Sequence, residues 1–283
     1  MKKIFSLFLA VLITVTAGIP AFAATRKGDT VTLSMENLED LLPGNSQSGT
    51  YDQQLLSAQI QYLTYCNDML ITDSDTYTYN SKVQERDNAK KKYEQGYGSK
   101  KAYDDAVQAV TDQLNSQQQH SMKRSQDSLV LRHMLELDDV DKLVVKPMDY
   151  SKLDLEAKIN NINYKSDLKK LGWNDLSGSD ASDSEMTGGV EAFHTLYNAL
   201  KSAGDQYHQN NDTYQKKLND LQTTKQKVAA GYASQKELDD LNQEVQVLAN
   251  TVAQNKNSLY MAYLKYDYAR DHNGESPDAV QYY

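Results

Sequence analysis

The sequence predicts an all-α protein built as two tandem long antiparallel coiled-coil helical hairpins, and three observations carry that expectation. Only 4 prolines occur among 283 residues, at positions 20, 43, 147 and 277, so the long stretches between them hold no helix breaker of that kind. A ten-residue phrase is repeated: Gly96-Tyr97-Gly98-Ser99-Lys100-Lys101-Ala102-Tyr103-Asp104-Asp105 agrees with Gly231-Tyr232-Ala233-Ser234-Gln235-Lys236-Glu237-Leu238-Asp239-Asp240 at six places. Each copy lies between two stretches of helical periodicity, which is the signature of a duplicated supersecondary unit.

Taken in order, Met1-Lys2-Lys3, the apolar run Ile4 to Ala17 and the small residues Ala21-Phe22-Ala23 read as a signal peptide over 1–23, cut after Ala23. A retained anchor is the rival reading, but Thr14, Thr16, Gly18 and Pro20 interrupt the unbroken span of about 20 apolar residues that it needs. The first repeat is expected over 24–150 and the second over 151–274, with a tail at 275–283. Each opens on a leucine-containing phrase, Val31 to Glu36 and Leu153 to Ala157, read as a short helix entered through Ser34 or Asp154. Breaks rich in Gly, Ser and Asn follow at Pro43 to Thr50 and Gly172 to Gly189.

The second repeat has the clearer seam. Val190, Phe193, Tyr197, Leu200, Tyr207, Tyr214, Leu218, Leu221 and Val228 recur at alternating three- and four-residue steps or their sums, and Leu238, Leu241, Val245, Leu248, Val252 and Leu259 continue the pattern beyond the turn. Arms of roughly 40 residues reach about 60 Å. In the first repeat Tyr51, Leu55, Ala58, Tyr62, Tyr65 and Met69 open a single phase that runs to the turn, with a kink or a short extended piece expected at Thr76-Tyr77-Thr78-Tyr79. The returning stripe Tyr103, Val107, Val110, Leu114 fades through Gln117, Ser121, Arg124 and Ser128 and resumes at Leu131, so its middle is expected to be solvated or packed against something polar.

The formal net charge is −9, and loss of Lys2 and Lys3 with the signal peptide takes it to −11. An acidic chain without a basic cluster is not expected to bind nucleic acid. Cys66 is the only cysteine, so no internal disulfide forms; a small buried apolar residue is expected, with intermolecular pairing as the rival reading. Tyrosine numbers 20 against 4 phenylalanines, which suits half-dry seams and surfaces.

At each turn a glycine stops one helix and a serine caps the next. Gly96 and Gly231 take a left-handed backbone conformation without penalty, and Ser99 and Ser234 accept from the free amides of the returning helices. Tyr97 and Tyr232 are not needed for a turn. Two exposed aromatic side chains at the ends of long arms suit a docking surface.

With these residues in view, the chain resembles the TolC-type outer-membrane efflux family, whose protomers carry two tandem repeats with a glycine turn at each hairpin tip. Val228-Ala229-Ala230-Gly231-Tyr232-Ala233-Ser234 is similar to the family's tip, and Leu259 to Ala269, running on to Gly274, is similar to its closing helix. The likeness spans most of 30–274 and is strongest over 215–274. It implies a TolC-like α-barrel protomer, a homotrimer forming a helical tube, and adaptor-facing positions at Gly96, Tyr97, Ser99, Gly231, Tyr232 and Ser234. It also implies efflux or export, with an adaptor-like or transporter protein as partner and membrane association through that partner. The family's barrel strands need about 9 to 11 alternating residues each. Neither repeat has room for them, so the expectation is a shortened, all-helical relative of the cell envelope or cell surface, at the outer membrane if the host has one, with the formation of a pore left open.

Catalysis is not expected. The histidines at 120, 133, 194, 208 and 272 lie outside metal-ligand spacing, Asp73 and Asp75 lack the rest of a calcium loop, and no nucleophile motif is present, so neither a cofactor nor a metal is expected. Trp173 is expected to plug the junction of short and long helices. A rival reading without transport is a surface or wall-associated coiled-coil spacer, an adhesin-like rod.

Overall fold

The computed structural model describes residues 30–43, 50–173 and 188–274. The described chain is mostly helical, as expected. Strand β1 (Thr30–Leu33) leads into helix α1 (Leu38–Leu41), then α2 (Tyr51–Glu94) and α3 (Lys100–Met134). Strand β2 (Lys142–Val145), a single turn of 3-10 helix at Tyr150–Lys152, and the short helices α4 (Leu155–Asn160) and α5 (Tyr164–Lys170) follow, before α6 (Gly188–Ala229) and α7 (Gln235–Asp271). The segment read as a signal peptide, the tail and most of both Gly/Ser-rich breaks lie outside the described residues.

Helix α2 packs along α3, α6 packs along α7, and α2 also packs along α7. The four long helices therefore stand in the order α3, α2, α7, α6, with the two inner helices covered on both flanks. The core gathers at the ends opposite the turns, where Tyr62, Leu63, Leu131, Phe193 and Tyr266 are fully buried. Cys66 lies in this core, and burial pushes its thiol up to about 11, which keeps it protonated and inert.

Helix α2 starts on a capping box in which the Thr50 hydroxyl accepts from the Gln53 amide and the Gln53 side chain accepts from the Thr50 amide. It then runs 44 residues without a break. The kink expected at Thr76 to Tyr79 is absent. The Thr72, Thr76 and Thr78 hydroxyls each donate to the carbonyl four residues back, at 2.9, 3.2 and 3.0 Å, and packing along both flanks overrides the weak helix propensity of the run.

The fading stripe of α3 does face a polar partner. His120 Nδ1 lies 2.7 Å from Asp75 Oδ2, Gln113 donates to the other Asp75 oxygen, and Lys123 bridges Asp68 and Asp127 at 2.7 Å each. Asp68 is 3% exposed. Burial, and then its hydrogen bond with Asp127, push its carboxyl up to about 6 against the opposing pull of Lys123.

The opening phrase of the first repeat differs from expectation. Val31 to Leu33 belongs to a strand, which pairs in parallel with β2 in the register Thr30↔Lys142 to Leu33↔Val145. Ser34 caps no helix; its amide and hydroxyl both donate to Asn37 Oδ1 in a turn before α1. The consecutive β-branched residues Thr30, Val31 and Thr32 favour a strand once a partner exists, and that partner lies more than a hundred residues away. The second phrase behaves as read, since Asp154 Oδ1 accepts from the Ala157 amide at 2.9 Å and opens α4. Trp173 packs between Gly189 and Gly274 and against Phe193, so the junction is plugged as expected.

Candidate functional site

The two turns have the same backbone construction. Gly96 has φ +77° and Gly231 φ +81°. In the first turn the Tyr97 amide reaches back to the Lys92 carbonyl at 2.8 Å and the Gly96 amide to that of Tyr93 at 3.0 Å. In the second, Tyr232 reaches Lys227 at 2.7 Å and Gly231 reaches Val228 at 3.0 Å. These paired bonds make a Schellman motif, which satisfies carbonyls that the helix end leaves open. The Ser99 hydroxyl accepts from the Ala102 amide and the Ser234 hydroxyl from the Glu237 amide, both at 3.1 Å. Gly96, Ser99, Gly231 and Ser234 thus hold the turns.

Tyr97 and Tyr232 do something else. Each occupies the position of the motif that commonly folds back on an apolar residue one turn earlier, but here that residue is Lys92 or Lys227. Both rings are 86% exposed. Nothing in the turn requires an aromatic ring at that place, and the same ring stands at both ends with the same backbone beneath it.

Flanking residues brace the arms. Tyr93 and Tyr103 stack across the first turn with centroids 6.2 Å apart and planes within 6°. The corresponding residues of the second are Val228 and Leu238. Lys217 of α6 reaches Glu244 of α7 at 2.8 Å, tying the second pair of arms below its turn. Asp104-Asp105 and Asp239-Asp240 fall in the second helical turn rather than the first, and Asp240 pairs with Lys236.

Among the described residues no group of three or more His, Cys, Asp or Glu side chains is placed to hold a metal ion. No helix among them is long and apolar enough to cross a membrane. Four of the five histidines have polar partners: His120 meets Asp75, His133 Asp138, His194 the Tyr164 hydroxyl and His272 Asp52.

The second stripe of the last arm, Ala253, Tyr260, Met261 and Tyr263, reads in sequence as a seam for a further helix. The chain itself covers much of it. Tyr260 meets Tyr150 edge-on at 6.1 Å, and Lys158 lies 5.6 Å over the ring of Tyr263. The unpartnered apolar stripe is on α3 instead, where Val107, Leu114, Met122 and Leu129 are 38 to 62% exposed at steps of seven, eight and seven residues. No protein-family model, curated protein or solved structure matches this chain.

Proposed function

We propose that the chain is a TolC-like efflux or export component. In this reading the two helix pairs are tandem hairpin repeats, and three copies form a helical tube that docks an adaptor-like or transporter protein through its tips. The observation that carries the proposal is the pair of matching Schellman turns, each presenting a tyrosine the turn does not use. Duplicated exposed aromatic anchors on rigid turns are what a repeated docking contact needs.

The row of helices supports the same reading. Among the described residues neither edge, α3 nor α6, packs along a second long helix, and the outer face of α3 exposes four large apolar residues that a second copy can cover. Such a contact joins one edge to the other edge of the next copy, and a contact of that head-to-tail kind makes a ring when the rotation between copies closes and an open filament when it does not; the tube requires the first. The strands among the described residues are four residues each, far short of a membrane-spanning strand. The proposed place of work is therefore the cell envelope or surface after export, with membrane association through partners and no catalytic step.

The tips are tested by Tyr97→Ala with Tyr232→Ala. The double variant is expected to keep its helicity by circular dichroism and to lose at least tenfold in affinity for the adaptor-like or transporter protein that the unaltered chain captures. Unchanged capture makes the tips plain turns.

A further inference from the structure

A cleft of about 590 Å³ lies over the middle of α2, well away from the tips, and it falls in the size range of small-molecule sites. Its floor is the α2 face from Cys66 to Thr76, with Met69 and Leu70 at its centre. One wall is Arg124 of α3, the other is Ala253 and Lys256 of α7, and Pro147 and Met148 close an end. The closing segment is latched in place. Tyr62 donates to the Lys146 carbonyl at 2.8 Å, and Tyr150 donates to Asn257 Oδ1 at 2.8 Å while Asn257 donates to Asn67 at 2.7 Å. Burial raises both tyrosine hydroxyls, so these latches stay neutral and intact across the physiological range.

The two cations of the cleft are distinctive. Lys123, one residue before Arg124, satisfies two carboxylates, whereas Arg124 spends a single donor on the Thr72 hydroxyl at 3.1 Å. Lys256 rests 4.5 Å over the Tyr150 ring. Among the described residues no carboxylate lies within 4.0 Å of either. The one acid in the lining, Asp73, already accepts from Asn250 at 2.8 Å. The lining therefore carries one net positive charge above an apolar floor. Methionine at the floor and at the closed end adapts to an unbranched chain more readily than a branched side chain does.

We propose that this cleft binds a single-tailed aliphatic carboxylate, of the medium-chain fatty-acid class, with its tail on Met69, Leu70 and Met148 and its carboxylate between Arg124 and Lys256. Charge-assisted hydrogen bonds to the guanidinium supply direction, and the tail supplies burial. The site is independent of tip docking and of assembly, so failure of either leaves it standing.

Calorimetric titration of the exported chain with decanoate, below its micelle-forming range, tests the proposal against decanol, acetate and decyltrimethylammonium. Decanoate is expected to bind one per chain, at least tenfold tighter than decanol and a hundredfold tighter than acetate, and the cationic amphiphile not at all. Arg124→Gln and Lys256→Gln are each expected to weaken decanoate about tenfold, and Ala253→Phe to block it, with helicity retained. Lys82→Gln, at a half-buried lysine of α2 that pairs with Glu85 outside the cleft lining, is expected to change nothing. Absence of heat with decanoate, equal affinity for decanol, or undiminished binding by the Arg124→Gln/Lys256→Gln variant overturns the assignment. The comparison of ligand charges needs no variant, so a substitution that unfolds the chain does not protect the proposal.

Discussion

Glycine has two opposite meanings in this chain, and substitution separates them. At Gly274 the backbone is left-handed, with φ +79°, and a Cβ would stand 2.3 Å from Trp173 Cη2. Gly274→Ala is expected to lower stability by about 2–4 kcal/mol, through backbone strain and displacement of the plug. Gly204 sits inside α6, where a Cβ would meet only Leu259 Cδ1 at 3.9 Å. Gly204→Ala is expected to raise stability by about 0.5–1 kcal/mol, because helical backbone disfavours glycine. Thermal melts followed by circular dichroism check both, and an unchanged melt for Gly274→Ala means that Trp173 is not seated between the glycines. Tyr97→Ala is expected to shift the melt by less than about 0.5 kcal/mol, since the ring touches little. The glycine and serine roles at the turns were legible in the sequence because capping chemistry is local. The seating of Trp173 against Gly274 joins residues a hundred positions apart; only the aromatic residue at a helix end pointed to it.

At the scale of elements, the α2–α3 seam joins a buried acid to pH. The Asp68 carboxyl is held above its ordinary range, so between about pH 4 and about 6 the folded chain binds more protons at this site than the unfolded chain does. The contribution of this group therefore favours folding below that window and is lost as pH rises through it. Asp127 is shifted the other way: burial opposes ionisation, but hydrogen bonds from Asp68 and Lys123 hold it lower, and its own effect falls at more acidic pH. Asp68→Asn keeps an acceptor for Lys123 and a donor for Asp127 while removing the charge. Relative to the parent, it is expected to gain on the order of 2 kcal/mol between pH 4 and pH 7. Denaturant melts at both pH values check this, and parallel curves contradict it. The sequence showed where the α3 stripe turns polar, but not that Asp68, Asp75, His120 and Lys123 meet there, because the pairing depends on the register of two long helices. It misread Thr30–Leu33 for a related reason: a four-residue strand acquires its conformation from β2, and no local signal announces a parallel partner.

For the molecule as a whole, duplication was the legible part. Matching turns and opposed heptad seams led to two pairs of long helices, and those pairs pack against each other through α2 and α7. Which faces stay uncovered was not legible, since the stripe on the last arm is covered by Tyr150 and Lys158 while α3 keeps its own exposed. If that exposed stripe is the seam between copies, Met122→Glu with Leu129→Glu is expected to abolish assembly without loss of helicity, because it sets two charges in an apolar contact. Sedimentation equilibrium of residues 24–283 over a wide concentration range tests the central claim most directly. A tube protomer predicts three times the chain mass, and a single-chain mass at every concentration contradicts it and leaves the solitary rod.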